Sequence, residues 1–290
     1  MKKKQQALLG IICYYLIAML IALIVYRVLP FENMILRVFI ANISATFIIY
    51  LFSLIHKNSS IYDPYWSVAP LVLIFPFVDG LTLRTLLMII PLYYWGVRLT
   101  LNWVYTFHDF SHQDWRYDYY KQKTKLYWPI VNLMGIHVMP TVVVFLAMIP
   151  VFRYLQSDSP YNLLTVLGAG VVIFATSFQW LADVQMHRFK KTPSDAVMNQ
   201  GLWAYSRHPN YLGEMLVWLG FFVMMISVIP EWHAIFGLIV MMLMFSMISI
   251  PLMEKRQLEK RPNYEEYQSQ TNVLLPVSFE RLLKLLTKKS

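Results

Sequence analysis

The sequence predicts an all-α protein: a polytopic membrane bundle of about eight transmembrane helices, with both termini cytoplasmic, forming a single membrane domain over residues 1–290. Three observations lead there. Hydrophobic residues make up 58% of the chain and charged residues only 14%, with a mean hydropathy of +0.48. A soluble domain carries about a quarter of its residues as charges, so this chain must face lipid. Seven apolar runs are long enough to span a hydrocarbon core, which takes about twenty helical residues. Finally, the basic residues are distributed asymmetrically between the loops.

The seven runs cover residues 8–29, 35–55, 83–104, 129–151, 163–186, 211–229 and 234–253. The first follows Met1-Lys2-Lys3-Lys4, which resembles the start of a signal peptide. Its apolar stretch is too long for one, and no small-residue cleavage site follows, so it reads as an anchor. An eighth segment, 67–78, is short and interrupted by Pro70 and Pro76, and on length alone it fits a re-entrant loop. Charge decides its path. If all eight segments cross, 20 of the 25 Lys and Arg fall on one side. If 67–78 does not cross, the three large basic regions (105–128, 187–208 and the tail from Glu254) move together to the other face. The positive-inside rule selects eight crossings. The net charge of +9 is then a topology signal, and no nucleic-acid partner is expected. The single cysteine, Cys13, excludes an intrachain disulfide and a cysteine-based zinc site.

The polar residues collect on the expected cytoplasmic side. Asp63-Pro64-Tyr65-Trp66-Ser67 enters the third segment, either as a helix start with interfacial aromatics or as a carboxylate at the mouth of a cavity. Arg98 lies inside a span, near Tyr94 and Trp95; it either snorkels to the interface or marks a site. The 105–128 loop holds nine aromatics with His108 and His112, which would offer metal ligands if the loop were helical, or simply line a membrane surface. Seven scattered histidines exclude a membrane di-iron oxygenase, and no metal is expected. Asp183, His187 and Lys190 share one helical face, with Gln179 a turn deeper. In Gly201–Glu214, Pro209 suits a first helical position, and Arg207, Asn210 and Glu214 follow at i, i+3, i+7. Arg256 and Arg261 fit either phosphates or anionic headgroups. No glycine-rich dinucleotide fingerprint, P-loop or nucleophile elbow occurs.

The stretches GLWAYSRHPNYLGE, LADVQMHRF and MEKRQLEKRPNYEEYQSQTNVLLP, with DPYWS and WGVRL elements upstream, resemble the steroid 5α-reductase family, and most closely its bacterial branch. The resemblance covers residues 60–277; the spans within 1–60 match poorly. The same superfamily includes sterol reductases and isoprenylcysteine carboxyl methyltransferases.

The resemblance implies an NADPH-dependent reductase of a carbonyl-conjugated C=C bond in a lipophilic, steroid-like substrate, embedded in the bacterial cytoplasmic membrane rather than the endoplasmic reticulum. Its partners would be membrane lipid and the small-molecule substrate, with no obligate protein partner. By correspondence, Asn210 and Glu214 lie by the nicotinamide and Asp183 contacts the cofactor. Lys190 stands where relatives carry Arg, and Gln179 where steroid-reducing members carry Asn. Arg98, His187, Arg207, His208, Tyr211, Arg256 and Tyr267 complete the expected cofactor-binding set. Asp63, Tyr94 and Trp95 are the candidates for residues beside the enolate oxygen, to which only a protonated acid or a phenol donates. Two other readings stand beside this one. One is an S-adenosylmethionine-dependent isoprenylcysteine-type methyltransferase, which shares RHPxYxG but not DPYWS or LADVQ. The other is a non-catalytic lipid-binding protein of the same fold.

Overall fold

The computed structural model describes residues 2–191 and 196–275. Ten helices follow in order: α1 (Lys2–Val28), α2 (Met34–Ile55), α3 (Tyr65–Leu73), α4 (Leu83–Thr106), α5 (Trp115–Thr124), α6 (128–156), α7 (Leu163–Lys190), α8 (Pro209–Ile226), α9 (235–260) and α10 (Tyr264–Gln270). Among the described residues there is no strand. Both α6 and α9 contain a π-helical segment, Val131–Val138 and Phe245–Ser249 respectively.

Among the described residues six helical runs are long and apolar enough to cross a membrane: Lys2–Val28, Met34–Ile55, Trp115–Gln156, Leu163–Lys190, Pro209–Ile226 and Trp232–Lys260. This is a multi-pass membrane protein. The eight-segment expectation adds α4, which is diluted by Tyr, Trp and Arg, and the short α3. Contacts at their ends show how these two run. At one end of the bundle Tyr15 packs edge-on against Tyr65 at the start of α3 (ring centroids 5.7 Å), and Tyr14 meets His56 at 2.7 Å. At the other end Phe77, in the turn after α3, stacks on Phe152 of α6 at 4.6 Å. There Arg84 of α4 donates to the Ser159 carbonyl (2.9 Å), Arg153 pairs with Glu231, and Asn162 donates to the Ser227 carbonyl (2.7 Å). Residues 65–77 therefore lead from the Tyr15 contact to the Phe152 contact, and they are not among the six runs long and apolar enough to cross.

Small residues let α7 and α8 approach closely. A Cβ on Gly220 of α8 would stand 3.0 Å from the Gly168 carbonyl of α7, so only glycine allows this approach. Close backbone approach at small residues is the usual basis of helix association in lipid, where the hydrophobic effect gives none. The main core lies between α4, α6, α7 and α8. At its centre the buried rings of Trp95 and Trp218 meet edge to face, 5.0 Å apart. A smaller cluster joins α1, α2 and α3.

The 107–114 stretch is not helical. The i, i+4 relation that would have made His108 and His112 neighbouring ligands is therefore absent; their rings meet edge to face at 5.5 Å. Helix α5 starts only at Trp115, capped by the Asp114 side chain.

Candidate functional site

Helix α8 opens at Pro209, where a missing N–H costs nothing, and this brings Glu214 a turn into the bundle. Glu214 is 2% exposed. Its Oε1 accepts from the Trp218 indole (2.8 Å), and its Oε2 accepts from the Trp95 indole (3.0 Å) and from Gln179 Nε2 (2.6 Å). Gln179 also accepts from Arg98, and Arg98 Nη1 reaches Asp183 Oδ2 at 2.6 Å. Arg98 is 7% exposed, so it does not snorkel; it is neutralised in place by a carboxylate on α7. A buried charge is tolerated only with such a partner, and removing the partner typically costs about 3–5 kcal/mol. Trp95, Arg98, Gln179, Asp183 and Glu214 thus form one polar chain tying α4 to α7 and α8. Beside it, His187 Nε2 meets Asn102 Oδ1 at 2.8 Å.

A second group fastens the end of the described chain. Arg207 donates to Glu254 Oε1 (2.7 Å) and to the carbonyls of Gln268 (2.8 Å) and Thr271 (2.7 Å). His208 meets Glu254 at 3.1 Å, and Tyr267 donates to the Trp203 carbonyl. Burial pushes the Tyr267 hydroxyl up to about 12, which keeps it a donor. Arg207, His208 and Tyr267 therefore spend their polar atoms on holding α10 and the segment after it against residues 201–208. Arg207 pairs with Glu254 and not with Glu214.

The third group is open-ended. Tyr211 at the start of α8, Lys190 at the end of α7 and Arg256 of α9 lie near the Asp114–Arg116 pair (2.9 Å), Arg261 lies near Lys190, and Asn210 precedes Tyr211 on α8. Arg256 lies over the Trp115 ring at 3.8 Å and Arg261 over Phe189 at 5.7 Å. Tyr211 is sandwiched by Phe245 (4.8 Å) and His208 (5.5 Å). Burial works to raise the Asp114 carboxyl, but the Arg116 and Arg256 guanidiniums outweigh it and hold the group below its usual range. Arg116 offsets Asp114 and Arg98 offsets Asp183, so among the described residues Lys190, Arg256 and Arg261 have no carboxylate in an ion pair with them; this cluster is the vestibule. Three buried polar atoms of these side chains have no partner among the described residues: Asn210 Oδ1, Arg256 Nη1 and Arg261 Nη1. Buried polar groups are otherwise almost always satisfied.

Asp63 adjoins this vestibule. It accepts from the Tyr117 hydroxyl, next to Arg116. Burial, and after it the Asp114 charge, raises the Asp63 carboxyl to about 7, against the pull of Arg116, Tyr117 and Ser60. The three residues expected to act on the enolate have separate surroundings. Asp63 faces Tyr117, Trp95 is buried on Glu214, and Tyr94 meets Ser177 (3.0 Å) on the outer face of α4. Tyr117, Trp115, Trp218 and Asn102 belong to these groups but were not singled out from the sequence. Trp218 is four residues beyond Glu214 and Asn102 four beyond Arg98, a helical spacing that would have found both. Nothing in the spacing marks Tyr117. Among the described residues, no three His, Cys, Asp or Glu side chains gather as metal ligands.

A family model described as a protein of unknown function (DUF1295) matches residues 49–271. The chain belongs to that family. The DUF1295 family lies within the steroid 5α-reductase superfamily, and its match takes in all three polar groups while leaving out α1. No curated protein and no solved structure matches the chain.

Proposed function

We propose that this DUF1295 member is a membrane-embedded, NADPH-dependent reductase of a carbonyl-conjugated C=C bond in a lipid or steroid-like substrate. The observation that carries the reading is the vestibule with its three uncompensated cations and three unpartnered buried atoms. Two of those atoms are guanidinium donors and one is an amide acceptor. A dinucleotide phosphate supplies acceptors for the former, and a nicotinamide carboxamide supplies an N–H for the latter. The residues present therefore fit the cofactor. S-adenosylmethionine, which carries a sulfonium cation and no phosphate, fits this charge less well.

Bound there, NADPH supplies the hydride. Lys190, Arg256 and Arg261 hold the phosphates, and their surplus charge favours a 2′-phosphate. Asn210 orients the carboxamide through Oδ1. The Arg98–Gln179–Glu214 chain acts one layer behind, fixing α7 against α8 so that Asn210 and Lys190 keep their places. Asp63, half protonated near neutral pH and bonded to Tyr117, holds a proton next to the vestibule. The basic loops on the vestibule side support a cytoplasmic site with both termini cytoplasmic, and the resemblance to the bacterial branch supports a bacterial cytoplasmic membrane.

The test is a set of melting curves on detergent-purified protein. NADPH should raise Tm more than NADH, and S-adenosylmethionine should leave it unchanged. Each tenfold excess over Kd adds about 1.4 kcal/mol of apparent stability. A shift with S-adenosylmethionine alone would transfer the assignment to a methyltransferase. A shift with neither would leave a non-catalytic lipid binder.

A further inference from the structure

A crevice of about 460 Å³ runs between α4 and α7, on the outer face of the bundle. Val97, Leu101, Trp180 and Val184 form its walls. Leu101 is 60% and Trp180 54% exposed, so the crevice opens sideways, towards where lipid lies. Its polarity changes along its length. The Tyr94–Trp180 end is apolar, and the other end, where α4 and α7 stop, carries Arg188 and Lys191. Neither of these cations has a carboxylate partner among the described residues. Arg98 also lines the crevice. It is more than nine-tenths buried, and its Nε–H has no acceptor, although its other nitrogens are taken by Asp183 and Gln179.

We propose that this crevice is a binding site for one anionic membrane phospholipid, with an acyl chain along Val97, Leu101, Trp180 and Val184 and the headgroup phosphate at Arg188 and Lys191. The gradient from apolar to basic matches the long axis of a lipid standing in its own leaflet. At about 30 Å³ per water-sized group, the volume suits one chain of roughly fifteen methylenes and not two. The paired cations match an anionic headgroup, and the Arg98 Nε–H calls for an acceptor such as an ester carbonyl. The site is distinct from the vestibule, and it does not rest on the reductase reading.

Native mass spectrometry of delipidated full-length protein, offered phosphatidylglycerol or phosphatidylcholine, tests this. Wild type should retain one phosphatidylglycerol in preference to phosphatidylcholine. Arg188→Gln with Lys191→Gln should weaken that retention about twenty-five-fold, at roughly a fivefold loss per surface cation. Leu101→Trp should fill the crevice and abolish retention of both lipids. Lys121→Gln with Lys123→Gln, on the exposed part of α5, should change nothing. Melting temperatures of each variant separate lost binding from lost folding, and the two exposed cations can be changed without touching the core. Equal retention in wild type and the Arg188/Lys191 variant would overturn the proposal. So would a wild-type dimer that Leu101→Trp turns to monomer without loss of lipid, since the occupant would then be a second copy of this chain.

Discussion

Gln179 places its amide nitrogen 2.6 Å from Glu214 Oε2 while its carbonyl oxygen accepts from Arg98. One amide therefore connects a buried cation to a buried carboxylate that do not touch each other directly. Its orientation is dictated from both sides, because the carboxylate can only accept and the guanidinium can only donate.

Glu214→Gln should destabilise the protein even without any ligand. Three donors, from Trp95, Trp218 and Gln179, converge on a carboxylate, and an amide turns an NH₂ towards at least one of them. Loss of hydrogen bonds to a charged group predicts about 1.5–3 kcal/mol. Thermal melting in detergent reads this directly. An unchanged Tm would mean that the three bonds do not hold α4, α7 and α8 together.

Arg256→Gln and Arg261→Gln should behave oppositely. Each carries a buried nitrogen without a partner and rests on an aromatic ring, so the stability without ligand should fall by no more than about 1 kcal/mol. NADPH affinity should fall about tenfold to a hundredfold, at 1.5–3 kcal/mol per charged hydrogen bond. Isothermal titration with NADPH checks both variants. Wild-type affinity in both would remove the phosphates from this vestibule.

Asp63 gives a pH dependence. Its carboxyl moves from an ordinary 3.8 to about 7 in the folded chain. Between those values the folded state keeps a proton that the unfolded state releases. The stabilisation is thus fully present below about pH 4 and is lost as pH rises through 7. Asp63→Asn keeps the shape, removes the charge and retains an acceptor for Tyr117. It should flatten the fall in Tm between pH 5 and 8 and stabilise the protein at pH 8 by about 1–4 kcal/mol. Parallel curves for the two proteins would show that Asp63 ionises normally.

The direction of α3 is open to labelling. Single cysteines at Lys57, Lys123, Lys191 and Lys260, in a Cys13→Ser background, should all react from the cytoplasmic side. Reaction of the Lys57 and Lys123 positions from opposite sides would mean that residues 65–77 turn back within the membrane.

The bundle was legible because apolar length and basic asymmetry are properties of whole segments, insensitive to the detail of packing. The short third segment shows the difference: its prolines and length speak for a re-entrant loop, and only the charges of distant loops speak for a crossing. The polar groups were legible only along single helices. The face of Gln179, Asp183 and His187 follows from spacing, and so does the approach of Asn210 to the start of α8. Which helix answers that face does not, since Arg98 and Trp95 arrive from about eighty residues upstream. Arg207 illustrates the limit. Its position by a presumed nucleotide site suggested a ligand contact, but Glu254 and two tail carbonyls take its donors, and only the folded tail discloses them. Tyr117 lay among aromatics of equal appearance, so its bond to Asp63 had no sequence signal.

The π segment Phe245–Ser249 sets the rotational phase of everything after it on α9. An inserted residue turns the following side chains by about 100° relative to an unbroken α-helix. Glu254 and Arg256 both lie beyond it, one directed at Arg207 and the other at Trp115. With uninterrupted α geometry from Ile235 onward, each would point roughly a quarter-turn away from its partner. The wider turn therefore lets one helix serve two masters: its first half keeps step with the apolar face of α6, and its second half keeps step with the polar ends of α7 and α8.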